Sequence, residues 1–265
     1  MQDPFTGNDY DRFKQKVLAL TSLDLDIYRQ PPLQRRLQSL LKKYGISTFE
    51  AYFQFLLDNP QARLDFKSNI TVNTTEFFRD TEQFERLRTT FLPELIQSST
   101  QMLRFWSAGC SVGAEAYTLA MMMREYFPQA AFSLLATDID GDVIKTARQG
   151  SFKAHEVQDV PEVLKKKYFR RRGDRYELNE RVKQSVIFHT GNLLRDPFDW
   201  GFDLIACRNV MIYFTQAAKD LLYQKFHHAL KPSGLLFVGS SEIILNPAAF
   251  GFESVGPFFY RKTAR

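Results

Sequence analysis

The sequence predicts an α/β fold. Its sheet is mostly parallel with an antiparallel C-terminal edge, an all-helical domain precedes it, and a small antiparallel β insertion interrupts it. Three observations carry this prediction. Over about the first hundred residues, apolar side chains recur at helical spacing. From about Met102 onward, apolar β-prone runs alternate with helical patterns. That second region opens with Leu103–Tyr117, LRFWSAGCSVGAEAY, where a β-prone run passes through a glycine-punctuated turn into a helix.

Each N-terminal helix is legible from its ends as well as its apolar stripe. Asp9 to Leu20 places Phe13, Val17 and Leu20 on one face. Pro31-Pro32 open a second helix, where a missing N–H is harmless; Leu33, Leu37, Leu40, Leu41 and Tyr44 form its stripe and Gly45 ends it. Thr48 caps a third helix, which turns Phe49, Tyr52, Phe53, Leu56 and Leu57 inward and stops at Asn59-Pro60. A fourth runs near Gln61 to Ile70. After an irregular patch, Thr81 to Leu95 reads helical, with Pro93 near its end. The expected division is a helical domain over 1–80, a linker helix over 81–100 and a cofactor-binding domain over 101–265.

In that last domain strands are expected at 103–107, 132–137, 185–190, 202–207 and 234–239, and helices at 113–126, 140–148 and 215–230. Lys231-Pro232-Ser233-Gly234 reads as a helix-to-strand turn, and Phe252 to Lys262 as an antiparallel edge around Gly256-Pro257. The insertion, a β-subdomain at about 165–190, holds short β-like pieces at Lys167–Arg170 and Arg175–Leu178, with the piece near 185 as a third strand. Its basic runs, Lys165-Lys166-Lys167 and Arg170-Arg171-Arg172, are compatible with a solvated hairpin.

Composition narrows the function classes. The 265 residues are 44% hydrophobic with 25 Phe, enough for sizeable cores. No run of about 18 apolar residues exists and the start, MQDPFTGNDYDRFKQ, is polar, so neither membrane insertion nor a secretory leader is expected, and cytoplasmic residence follows. Cys110 and Cys207 make no disulfide framework, and the four histidines show no metal-ligand spacing. The net charge of +5 is compatible with an acidic partner without demanding one.

The candidate site lies where polar clusters follow strands. In open parallel sheets, ligands bind beyond the carboxyl ends of the strands. Ser107 to Gly113, Asp138, Gly191-Asn192-Leu193-Leu194, Cys207-Arg208-Asn209 and Ser240-Ser241-Glu242 all fall at such ends. The turn is G-x-x-x-G rather than the dinucleotide fingerprint, and it lacks the Lys and Ser/Thr of a phosphate loop. With an acid closing the next strand, a ribose-bearing cofactor without phosphates, such as S-adenosylmethionine, fits better than NAD or ATP. A second patch, Asn73 to Asp80 (NTTEFFRD), joins the two regions; it reads as a polar lid on an apolar wall, or as a helix cap.

NTTEFFRD, FWSAGCSVGAEAYTLAM, LLATDIDGDVI, GNLL, FDLIACRNVMIYF and LKPSGLLFVGSSE occur in this order. Together they resemble the chemotaxis receptor methyltransferases of the CheR family, over essentially the whole chain, and the linker patch and RNVMIYF are the most specific segments. The resemblance implies a Rossmann-like class I methyltransferase sheet. It implies methyl transfer from S-adenosylmethionine to glutamates on the cytoplasmic helices of chemoreceptors, giving methyl esters and S-adenosylhomocysteine. It implies cofactor contacts at Asn73, Thr75, Arg79, Glu115, Asp138 (on the ribose), Asn192, Leu193, Arg208 and Asn209, with Tyr213 near the reactive methyl. Arg79 would hold either the cofactor carboxylate or the incoming glutamate. Where the family commonly shows two acids and then Pro, this chain has Ala114-Glu115-Ala116, so only Glu115 carries over.

The chemistry agrees. A glutamate carboxylate titrates near 4.3, so it is ionised and nucleophilic at neutral pH and attacks a sulfonium methyl in line without a general base. No catalytic triad or metal is expected. Arg35, Arg36, Lys42 and Lys43 share the polar face of the second helix, and the resemblance makes them the expected contacts for acidic methylation helices. In some family members a longer loop in the β insertion docks a peptide at the receptor C-terminus; Arg170 to Glu177 is short, so tether-independent binding is expected, by a monomer. A nucleic-acid methyltransferase is the first alternative; it would need an Asn/Asp-Pro-Pro-aromatic run, and Asp196-Pro197-Phe198 has a single Pro. A cofactor-binding signalling adaptor without turnover is the second, disfavoured by the intact Asp138, Arg79 and Tyr213.

Overall fold

The computed structural model describes Phe5 and residues 7–263, so the polar start of the chain lies partly outside the described residues. The chain divides into two compact units, Met1–Asn73 with Tyr213–Lys219, and Thr74–Ile212 with Asp220–Arg265.

The first unit is helical: α1 (Asn8–Thr21), α2 (Gln30–Tyr44), α3 (Phe49–Asp58) and α4 (Pro60–Thr71). The ends follow the local chemistry. Pro31 and Pro32 occupy the first turn of α2, and Gly45 ends it in the left-handed region, its N–H returned to the carbonyls of Leu41 and Lys42. The Thr48 hydroxyl accepts from Ala51 N at the start of α3. Phe13, Val17, Leu33, Leu37, Tyr52, Leu56, Phe66 and Ile70 are fully buried, with the Phe13 ring 4.9 Å from Phe49 and edge-on to Phe66. Each such burial is worth about 1.5–3 kcal/mol, which is what holds helices this short. The unit also takes in 213–219. Arg29 N donates to Tyr213 O and Thr215 N to Ile27 O, both at 2.8 Å, around a Tyr28–Phe214 bridge.

The second unit opens with α5 (Thr81–Arg86) and α6 (Leu92–Ser98), continuous through a π-turn at Leu87–Phe91. Pro93 follows directly; it has no N–H to give and would crowd the carbonyl a turn back, and the widened turn relieves both. Then come β1 (Leu103–Ala108), α7 (Ala114–Tyr126), β2 (Phe132–Asp138), α8 (Gly141–Gln149), β3 (Ser151–Lys153), α9 (Glu162–Tyr168), β4 (Phe169–Arg172), β5 (Arg175–Leu178), α10 (Glu180–Lys183), β6 (Val186–Thr190), β7 (Phe202–Cys207), α11 (Gln216–Ala229, crossing the unit boundary), β8 (Leu230–Val238), β9 (Phe252–Gly256) and β10 (Phe259–Lys262).

The main sheet runs β6-β2-β1-β7-β8-β10-β9; its first five strands are parallel, and β10 is antiparallel to both neighbours. The chain leaves β1 for β2 on one side and later returns to β7 on the other, so β1/β7 is the switch point where such sheets bind ligands. Helix α7 is buried all round from Ala114 to Met123, which fixes the turn before it firmly.

One expectation is corrected. The third strand of the small sheet is β3, paired to β5 in the order β3-β5-β4, and not the strand near 185. That strand, β6, pairs parallel to β2 as the edge of the main sheet. β6 carries Val186 and Phe188 on its inner face, and this apolar face is satisfied only in the larger core. Among the described residues no helix is long and apolar enough to cross a membrane.

Candidate active site

The glycine turn is built around the ends of β1 and β2. Gly109 N and Cys110 N both donate to Thr137 O, at 2.8 and 2.9 Å. Gly113 lies at φ 88, and a Cβ there would sit 3.0 Å from the Phe188 ring and 3.2 Å from Ala147, so only glycine fits this close approach. Ser111 also takes a left-handed conformation, which aims its N–H at Asp138 Oδ2, 2.8 Å away. Asp138 Oδ1 accepts from Asp140 N at 3.0 Å. Burial pushes the Asp138 carboxyl up to about 6, against the pull of those backbone N–H groups. Gly191 N donates to Asp138 O at 2.9 Å, which brings the loop after β6 alongside.

That loop supplies Asn192 and Leu193. Asn192 Oδ1 caps Leu194 N and Arg195 N, and Lys225 Nζ holds Leu193 O at 2.7 Å. With Trp106, Thr137, Gly191 and Phe198 they line a pocket of about 170 Å³ between β1, β2 and the loop after β6.

The loop after β7 is tied by charge. Arg208 lies between the rings of Phe84 and Phe237, 4.9 and 4.6 Å from their centroids, and its side chain is 3% exposed. Nη2 donates to Asp80 Oδ2 at 2.7 Å and to Arg79 O at 2.8 Å; Nη1 lies 3.5 Å from Glu115 Oε2. The Glu115 carboxylate accepts the Ser107 hydroxyl at 2.8 Å; burial raises its pKa, and Arg208 and Ser107 oppose that rise. The Nε of Arg208 is buried without a partner among the described residues.

Glu242, at the end of β8, accepts from Asn209 N at 2.7 Å, Gly239 N at 2.8 Å and Ile212 N at 3.1 Å. It is 2% exposed, and burial raises its pKa although these N–H donors favour the charged form. A Cβ on Gly239 would come within 2.7 Å of the Glu242 carboxylate and 2.8 Å of Asn209 N, so glycine is what lets the cradle close. Asn209 itself is left-handed at φ 60.

In the patch at 74–80 the two Phe side chains are buried and the polar residues are half-exposed or exposed. Phe77 packs on Phe152 and Phe169 and donates its N–H to Glu156 O, and Phe78 N donates to Thr118 Oγ1 at 3.2 Å. Thr75 and Arg79 stay half-exposed, Arg79 reaching Thr74 O at 3.4 Å. No helix starts within the patch; the next begins at Thr81 after left-handed Phe78 and Asp80. Four of the non-glycine residues with positive φ (Phe78, Asp80, Ser111 and Asn209) lie in these loops. Such backbone persists where surroundings over-determine it, which is common at functional sites.

Of the residues singled out in sequence, Glu115, Asp138, Asn192, Leu193, Arg208 and Asn209 follow the strand ends of one unit; Thr75 and Arg79 lie in the 74–80 patch of the same unit, Arg79 joined to the rest through its carbonyl on Arg208. Asn73 and Tyr213 belong to the helical unit. Asp80 and Glu242 also belong to this network, as partners of Arg208 and of the Asn209 backbone, and the signal in sequence is position alone, next to Arg79 and after a strand.

A family profile described as "CheR methyltransferase, SAM binding domain" matches residues 73–256, and one described as "CheR methyltransferase, all-alpha domain" matches 8–71. The chain belongs to the CheR methyltransferase family. A chemotaxis protein methyltransferase of Listeria monocytogenes is 38% identical over 260 residues, 98% of this chain and 99% of that one. One of Borreliella burgdorferi is 37% identical over 271 residues, 97% and 95% of the two chains. As a CheR-family protein the chain is a methyltransferase whose cofactor is S-adenosylmethionine. The residues present fit that group: a glycine turn that admits no Cβ, a buried carboxylate at the end of β2, and a pocket beside it that carries no cluster of cations for a phosphate.

Proposed function

We propose that this enzyme methylates glutamate side chains on the cytoplasmic helices of chemoreceptors, forming γ-methyl esters and S-adenosylhomocysteine during chemotactic adaptation. The observation that carries the reading is similarity to chemotaxis protein methyltransferases along nearly the whole of both chains. Bound S-adenosylmethionine supplies an electrophilic methyl group. The protein's task is to orient it, admit an already ionised carboxylate and exclude water. No general base is required, in keeping with a site built of carboxylates and backbone donors.

Within that reading, Asp138 accepts the ribose hydroxyls, and Asn192 and Leu193 flank the adenine. Glu115, Thr75 and Asn209 complete the cofactor contacts. Arg79 pairs with a carboxylate, that of the cofactor or of the incoming glutamate. Arg208, its guanidinium engaged with Asp80, Arg79 O and Glu115, acts by holding the 79–80 backbone. Asn73 and Tyr213 enter from the family resemblance alone, Tyr213 beside the reacting methyl.

The acidic receptor helices dock on α2. Arg35 and Lys42 are exposed there, whereas Lys43 is paired with Asp65 and Arg36 is engaged within its own unit. The two residues Gly173-Asp174 that join β4 to β5 support binding without a receptor tethering peptide. We place the enzyme in the cytoplasm, as a monomer. The test is tritiated-methyl transfer to receptor cytoplasmic fragments with and without their C-terminal tails. Base-labile label on both fragments is expected. Label on RNA or DNA, or cofactor binding without transfer to any receptor fragment, would refute the assignment.

A further inference from the structure

Arg36 is not placed like a surface docking residue. Its guanidinium lies over the Tyr213 ring, 4.6 Å from the centroid. Its Nη1 donates to Ile70 O at 3.1 Å. That carbonyl belongs to the last turn of α4, where helix acceptors have no intrahelical partner, so the bond also fixes the plane of the guanidinium. The Tyr213 backbone is held independently by Arg29 N, and the next residue, Phe214, packs edge-on to Tyr28 at 5.5 Å. On the upstream side, Glu242 fixes Asn209 and Ile212. The segment is therefore pinned in backbone on both sides, and the Arg36 guanidinium covers a face of the Tyr213 ring that this backbone presents.

We propose that Arg36 is a positioning residue for Tyr213: it sets the ring's orientation by stacking and contributes to turnover rather than to receptor docking. This rests on the reading of Tyr213 as the residue beside the reacting methyl. A lysine cannot replace it, because an ammonium is a point charge that cannot lie flat on the ring while donating to Ile70 O. A half-buried contact of this kind corresponds to roughly three- to thirty-fold in rate.

The test is steady-state kinetics of the full chain with S-adenosylmethionine and a receptor cytoplasmic fragment. Arg36→Ala is expected to lower kcat about tenfold, leaving the receptor KM within about twofold, and Arg36→Lys does not restore it. Arg35→Ala and Lys42→Ala instead raise the receptor KM. The loss from Arg36→Ala should persist in a Tyr213→Phe background and vanish in Tyr213→Leu. If Arg36→Ala folds poorly, Arg36→Gln keeps a donor for Ile70 O and removes the cation. A rise in receptor KM at unchanged kcat, or equal losses in both Tyr213 backgrounds, would overturn the proposal. Fluorotyrosine labelling separates it from the functional reading. The ¹⁹F resonance assigned by Tyr213→Phe should shift in Arg36→Ala and not in Arg35→Ala, whether or not any receptor is methylated; a resonance that stays put sinks the clamp.

Discussion

Two charged regions of this protein are built in opposite ways. Around the glycine turn, Arg208, Glu115, Asp138 and Glu242 are buried, and each carboxylate is met by backbone N–H groups, a hydroxyl or a guanidinium. On α2, Arg35, Lys42 and Lys43 stand in solvent, and an ion pair there, Lys43 with Asp65, joins neighbouring helices at the surface. Buried charges are costly to leave unpaired, so the first network fixes loop geometry. Exposed charges contribute little to stability but steer an acidic partner over distance. If receptors dock on α2 as proposed, the same residue types serve shape in one region and recognition in the other.

The largest expected effect tests the buried side of that contrast. Arg208→Ala strips the counter-charge from Glu115 and Asp80 and should destabilise the catalytic unit by about 3–5 kcal/mol, read from urea denaturation. Lys43→Ala should leave the midpoint unchanged. Equal effects from the two would erase the distinction. Glu242→Ala comes next, because it leaves the N–H groups of Asn209, Gly239 and Ile212 without their acceptor. About 1–3 kcal/mol is expected. Hydrogen exchange should show the loop after β7 opening while the core strands stay protected.

How far each region could be read from sequence follows from the same contrast. The strand–turn–helix at 103–126 is local: apolar run, glycines and stripe lie within one stretch, and the elements appear within a residue or two of their expected ends. The antiparallel β9–β10 edge was legible for the same reason. Strand β3 was not. Three residues, Ser151–Lys153, are too few for an alternation to show, and only pairing with β5 makes them a strand. That Phe84 and Phe237 close over Arg208 is not legible in sequence either, because the three residues come from separate stretches of the chain. Likewise, Arg36 sits among basic neighbours on α2, and a segment 177 residues later in the chain decides what it touches.

A smaller effect, on binding, comes from titration of Asp138. Its carboxyl is raised to about 6 from an ordinary value of 3.8. If the ionised form accepts the ribose hydroxyls, cofactor binding is full above about pH 7 and weakens by up to about tenfold per unit as pH falls below 6. Calorimetry across pH 5–8 reads this directly. The same raised value makes the ionised carboxylate a burden to the free fold, since the unfolded chain gives up that proton at lower pH. Without cofactor, this one group therefore lowers stability as pH rises from about 4 to 6, and bound cofactor should offset the loss. Affinity that is flat across the range would remove Asp138 from the ribose.

The smallest effects belong to the exposed face. Arg35→Ala and Lys42→Ala should each raise the receptor KM by about two- to fivefold at low salt, with the double variant close to multiplicative because the two charges act on a partner through solvent. Raising the ionic strength from about 0.05 to 0.5 M contracts the screening length to a few ångströms and should shrink the difference between wild type and variant toward nothing. The buried network should not respond to salt on that scale, so the Arg208→Ala loss is expected to persist at 0.5 M. A salt-insensitive Arg35 or Lys42 effect would mean that these side chains are desolvated on binding and pair one-to-one with receptor carboxylates. The α2 face would then be a built interface of the same kind as the catalytic loops, and no longer their opposite.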